Sequence, residues 1–127
     1  MPLPLYQPRI PTPSPTTSRV TTFGLLVGNR GFFPQHLAQE GRKEMLAALE
    51  AGGFRVVVID ANETRHGAIE SRDEAKACAA CFRDARDVID GIIVTLPNFG
   101  DERAVAETLR LADLGVPVLI HAMADAT

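Results

Sequence analysis

Apolar and polar positions along this chain alternate between two rhythms. Residues 23–28 (FGLLVG) form an unbroken apolar run, the length of a buried strand. Residues 36–51 switch to a helical period, with Leu37, Gly41, Met45 and Leu49 on one face, and Gly52-Gly53 supplies a stop. Residues 54–59 (FRVVVI) are rich in β-branched side chains and read as a second strand. Ser71-Arg72-Asp73-Glu74 has the pattern of a capping box and opens a second helix. The seam of that helix is Ala75, Cys78, Phe82, Ala85 and Ile89, spaced by threes and fours. Residues 91–96 (GIIVTL) predict a third strand. Residues 101–114 predict a third helix, opened by acids that suit the N-terminal dipole and stopped by Gly115. Residues 116–121 (VPVLIH) predict a fourth strand.

Strand and helix in strict alternation imply crossover connections and an α/β fold: a parallel sheet with helices on both faces, Rossmann/flavodoxin-like, of about four strands and three helices. Buried Leu, Ile and Val side chains contribute roughly 1.5–3 kcal/mol each, so such strands support a core. The pattern stops just after the fourth strand, with no helix to follow. The expected fold is therefore incomplete at its C-terminus, as in a fragment of a longer protein. The fourth strand is then an open sheet edge, an aggregation hazard unless something covers it.

Residues 1–22 are of different composition. They hold six of the nine prolines, no glycine, and only Arg9 and Arg19 as charges. Proline removes backbone donors and blocks helix, so this stretch is expected to be a disordered, polyproline-like arm before an α/β domain over 23–127. Without an unbroken apolar region it does not resemble a secretory signal.

Charge changes the picture next. Net charge is −3 overall, and residues 23–127 carry eleven basic against sixteen acidic side chains, a net of −5. A nucleic-acid or anionic-membrane binder would carry a basic patch, so neither partner is expected. No run approaches the roughly 20 apolar residues of a membrane span. Two cysteines suit a reducing cytoplasm better than a disulfide scaffold.

Open parallel sheets bind ligands beyond the C-terminal ends of their strands. After the first strand comes Gly28-Asn29-Arg30-Gly31-Phe32-Phe33-Pro34, which offers an amide, a guanidinium and two aromatics. A loop cation there suits a hydroxyl, carboxylate or phosphate, or else it pairs with a loop acid. The glycine spacing matches neither a dinucleotide fingerprint nor a P-loop. After the third strand comes Pro97-Asn98-Phe99-Gly100-Asp101-Glu102. Asn98 donates and accepts, Phe99 offers a face to a sugar ring, and Asp101 and Glu102 are expected to serve the helix start. Asp60, after the second strand, could hold a sugar hydroxyl or do ordinary loop chemistry. A receiver-type phosphoacceptor is excluded, because Thr95 stands where its acid belongs. Cys78 and Cys81 form a C-x-x-C inside the second helix rather than at its start, so core packing is expected instead of redox chemistry. His36, His66 and His121 lie on three separate segments without ligand spacing, and no metal site is expected from this chain alone.

The blocks VGNRGFFP (27–34), GRKE (41–44) and DGIIVTLPNFGDERAVAETLRLADLGVPVLIHAMAD (90–125) resemble the N-terminal domain of the L-fucose/L-arabinose isomerase-like family. The resemblance runs from about residue 23 to 125. It implies an aldose–ketose isomerase that works through an enediol with a divalent metal, Mn2+, held by carboxylates and a histidine of its middle and C-terminal domains. It implies that the N-terminal domain contacts the sugar substrate and reaches a neighbouring subunit's active site within an oligomer. Carried over by position, the substrate-binding residues are Asn29, Arg30, Asn98 and Phe99, with no catalytic residue and no metal ligand here. On this reading the chain lacks the catalytic domains and is inactive alone. A different class has the same alternation: a single lobe of a periplasmic- or repressor-type sugar-binding module.

Overall fold

The computed structural model describes residues 20–30, 35–64, 67–97 and 101–122. Most of the proline-rich stretch, Phe32 and Phe33, His66, and the predicted site residues Asn98 and Phe99 lie outside the described residues. The element order is β1 (Thr22–Val27), α1 (Gln35–Ala51), β2 (Arg55–Val58), α2 (Arg72–Asp84), β3 (Gly91–Leu96), α3 (Glu102–Ala112) and β4 (Val118–Ala122). All seven elements predicted from the sequence are present, with ends shifted by a few residues.

The four strands form one parallel sheet in the order β2-β1-β3-β4. Successive side chains on a strand face opposite sides, and the core divides accordingly. On one side Leu25 and Val27 of β1 and Ile93 of β3 pack with Ala38 and Leu49 of α1. On the other, Leu26, Ile92 and Val94 pack with Cys78 and Phe82 of α2 and Ala104 and Ala112 of α3. Apolar residues at consecutive strand positions are thus needed, because helices cover both faces. Gly24 makes room for α2: a Cβ there would lie 3.2 Å from the Phe82 ring.

The caps follow the sequence. Ser71 is the N-cap of α2; its hydroxyl accepts from the Glu74 N–H, and Glu74 returns the bond to the N-cap backbone. Asp101 caps α3, its carboxylate accepting from the N–H groups of Arg103 and Ala104. Gly53, at φ 82°, follows α1 in the left-handed conformation expected of its stop. One stop differs. The α3 helix ends before Gly115, because Asp113 takes the left-handed conformation at φ 46° and returns its N–H to Leu109. A short polar side chain tolerates that region at modest cost. Cys78 is fully buried on the α2 seam and Cys81 is half-buried; both are free thiols. Burial, and secondarily Cys81 beside it, pushes the Cys78 thiol up to about 12. No helix among the described residues is long and apolar enough to cross a membrane.

Candidate functional site

The strand order 2-1-3-4 places a topological switch point between β1 and β3, since the chain leaves β1 toward one side and β3 toward the other. Ligands of open α/β sheets bind beyond the strand ends at such a point. Here the backbone closes tightly. Past the end of β1, the Gly28 N–H donates to the Thr95 carbonyl at 3.0 Å and the Asn29 N–H to the Ile69 carbonyl at 3.2 Å. Ile69 in turn donates to the Val27 carbonyl at 2.7 Å. The segment before α2 therefore continues the sheet beside β1 where β2 has stopped, through a parallel bridge between Gly28 and Ile69.

This strap brings a residue to the site that no local pattern marks. Asn29 is wholly buried, and its side-chain amide donates to Glu70 Oε1. Glu70 is half-buried and its own N–H donates to Glu74 Oε1 at 2.9 Å, an oxygen that also accepts from Ser71 N–H at 3.1 Å. The capping box of α2 thus also anchors the backbone of Glu70. Arg30 follows Asn29, half-buried and engaged with its surroundings. Thr95 is wholly buried at the end of β3, and its hydroxyl lies 3.0 Å from Nδ1 of the half-buried His121 on β4.

Glu70 also forms part of a groove of about 730 Å³ between the start of α2 and the length of α3 from Asp101 to Arg110. Its charged lining is Glu70, Arg72, Asp101, Arg103, Glu107 and Arg110. Much of this charge is internally matched. Arg110 forms two hydrogen bonds to Glu107, at 2.6 and 3.0 Å, and Arg72 stands 3.9 Å from the same carboxylate. The hydrogen bond from Arg110 holds the Glu107 carboxyl below the usual range. Asp101 is engaged with its helix N-terminus, as expected from its position.

Of the four residues carried over from the family resemblance, Asn29 and Arg30 stand at the switch point, and Asn98 and Phe99 lie outside the described residues. Asp60 does loop chemistry: its carboxylate accepts from the Asn62 N–H at 2.8 Å. A second hollow of about 400 Å³ is lined by Gln39, Arg42, Ala61 and Asn62, where Arg42 of the GRKE block donates to the Ile59 carbonyl at 2.7 Å. Its guanidinium thereby ties α1 to the loop after β2. Among the described residues no group of three or more His, Cys, Asp or Glu side chains could hold a metal ion.

Glu70 is the functional candidate that sequence reasoning missed. Its partner Asn29 is 41 residues away, and nothing in the local pattern before the capping box distinguishes it from a solvated acid.

Comparison with known proteins adds the identity of the fold. No curated protein matches the chain. The family model of the fucose/sulfoquinovose isomerase N-terminal domain matches residues 24–127, which takes in β1 from Gly24 onward, the other three described strands, the three described helices and the loops after β1 and β3. This chain belongs to the fucose/sulfoquinovose isomerase N-terminal domain family.

Proposed function

We propose that this chain is the substrate-contacting domain of an aldose–ketose isomerase acting on L-fucose- or L-arabinose-type sugars, and that the catalytic metal and proton transfer belong to other domains or neighbouring subunits. The observation that carries the reading is the family match over 24–127, on a sheet whose order puts a switch point between β1 and β3. Membership of an isomerase family favours this reading over a lobe of a sugar-binding module. Arg30 offers charge-assisted hydrogen bonds to sugar hydroxyls. Asn98 and Phe99, which follow β3 in sequence, offer an amide and an aromatic face. Asn29, the other residue carried over at this strand end, is buried with its amide donating to Glu70.

The chemistry assigned to this chain is binding and orientation. Isomerisation through an enediol needs a base between neighbouring carbons and an electrophile on their oxygens. We place both outside this chain, with Mn2+ on carboxylates and a histidine of the middle and C-terminal domains. Holding the open-chain sugar against that machinery lowers the barrier by orientation alone. The two free thiols accord with work in the cytoplasm.

The test is reconstitution. The chain is joined to the middle and C-terminal domains of a family isomerase and assayed for manganese-dependent interconversion of L-fucose, L-arabinose and sulfoquinovose with their ketoses. Turnover of one of these is the expected result, and Arg30→Ala is expected to abolish it while leaving the circular dichroism and melting of the chain unchanged. Unchanged turnover in Arg30→Ala would refute the site assignment. No turnover of any of the three sugars would refute the function.

A further inference from the structure

We propose that Glu70 is a sugar-binding residue of this domain, a carboxylate that accepts hydroxyl hydrogen bonds from the polyhydroxylated substrate, and that Asn29 is the positioning residue that aims it. The proposal rests on the reading of the chain as a sugar-contacting domain.

Three observations meet at this side chain. The first is fixation at both ends. The Glu70 backbone is held by its N–H to Glu74 Oε1 at 2.9 Å, and its carboxylate is held at Oε1 by the Asn29 amide. Asn29 is itself immobilised, with no exposed surface and its own N–H bonded to the Ile69 carbonyl. A glutamate spans several rotatable bonds, and ordering such a side chain costs up to about 2 kcal/mol. An acid serving only solubility gains nothing from that order, whereas a ligand contact gains a preformed geometry.

The second observation is the chemistry of the grip. The other two carboxylates in the groove are committed, Glu107 to Arg110 and Asp101 to the α3 N-terminus. Glu70 is held by a neutral amide at one oxygen. An ionised carboxylate has about four acceptor sites, so the Asn29 contact leaves most of its capacity for hydroxyl donors. Bonds of the O–H···O⁻ kind are short and roughly twice as strong as neutral ones.

The third is place. Glu70 is the residue through which the switch point between β1 and β3 communicates with the groove between α2 and α3. Glu70 bonds Asn29 at the end of β1, so a ligand resting there meets a carboxylate that accepts from its hydroxyls.

The experiment is a titration of the full 127-residue chain with L-fucose and with its open-chain polyol L-fucitol, followed by amide and side-chain NMR shifts. The variants are Glu70→Gln, Asn29→Ala, both together, and Arg30→Ala. Glu70→Gln keeps an acceptor oxygen for Asn29 and is expected to retain the fold. The expected result is saturable shifts at Asn29, Glu70 and Ser71, with affinity weakened about tenfold or more by Glu70→Gln. Asn29→Ala is expected to weaken binding in the wild-type background and to have no further effect once Glu70 is glutamine. A purely structural role for Asn29 would instead give the same loss in both backgrounds. Should Asn29→Ala fail to fold, the Glu70→Gln result alone decides. Binding weakened by Arg30→Ala but untouched by Glu70→Gln would overturn the role of Glu70 and leave the sugar-contacting reading standing. Absence of any shift at the strand ends with either compound would overturn both.

Discussion

Thr95 and His121 are register partners on β3 and β4, and the Thr95 hydroxyl lies 3.0 Å from Nδ1 of His121. The pair ties the edge strand to the sheet interior near the C-terminal ends of the two strands. Thr95 is wholly buried while His121 reaches solvent. In Thr95→Val the β-branched shape stays and the imidazole turns to water. The expected loss is therefore about 1 kcal/mol, that of one neutral hydrogen bond, and not the larger penalty of an orphaned buried group. Urea unfolding measures it. A variant as stable as the wild type would mean that the contact contributes nothing.

The cap of α2 is organised around one oxygen. Glu74 Oε1 accepts from both Glu70 and Ser71 N–H groups, while Ser71 Oγ accepts from Glu74 N–H at 3.2 Å. Ser71→Ala is expected to cost about 1 kcal/mol, the usual value for a lost N-cap. Glu74→Ala removes the partner of two donors and is expected to cost more. Chemical denaturation of the two variants side by side reads the order, and the reverse order would contradict this account of the cap.

The Cys78 thiol, pushed up to about 12 by burial, gives the fold an alkaline weakness. Between an ordinary thiol value near 9 and about 12, the unfolded chain loses this proton and the folded chain keeps it. Stability from this group is full below pH 9 and declines as pH rises, by about 1.4 kcal/mol per pH unit at most. The wild type is expected to lose more stability than Cys78→Ala between pH 8 and 10, whatever their difference at neutral pH. Parallel pH profiles would show that the thiol plays no such part. In the native state Cys81 is expected to react with a thiol reagent well before Cys78, which mass spectrometry of partly labelled protein reports.

Gly24 faces the Phe82 ring so closely that an added Cβ would stand 3.2 Å from it. The strand can hold alanine, but the wholly buried Phe82 has little room to withdraw. Gly24→Ala is expected to destabilise by about 1–3 kcal/mol through overpacking. Combining it with Phe82→Leu is expected to recover part of that loss, so that the two changes are not additive. Additive losses would place the strain elsewhere.

The edge strand β4 exposes Val118, Leu119 and Ile120 at 43%, 63% and 64%. Neighbouring residues point to opposite faces, so both faces of the strand are apolar and open. An uncovered apolar edge promotes self-association. Leu119→Lys is expected to reduce concentration-dependent association of the chain in sedimentation velocity, with the strand and helix content unchanged. Unaltered association would exclude this edge as its source.

Much of the architecture was legible because its causes are local. Ser71-x-x-Glu74 forms its cap within four residues, and the apolar runs of β1 and β3 report helices on both faces without showing which helix. Sequence reasoning expects the stop of α3 at Gly115, because glycine is the cheapest residue at positive φ. Asp113 takes that conformation two residues earlier and closes on Leu109. Two of the four carried-over site residues, Asn29 and Arg30, stand at the switch point.

The sequence by itself determined the class of fold, the number and kind of elements, and the loops at which a ligand could sit, because periodicity and capping act over a few residues. Only the tertiary structure decided the order β2-β1-β3-β4, the switch point that follows from it, and the company that each polar side chain keeps. Asn29 meets Glu70 across 41 residues, and Thr95 meets His121 across 26. Such pairs exist because two crossovers bring distant strand ends together, and the cost of burying a polar group without a partner then selects which of them bond.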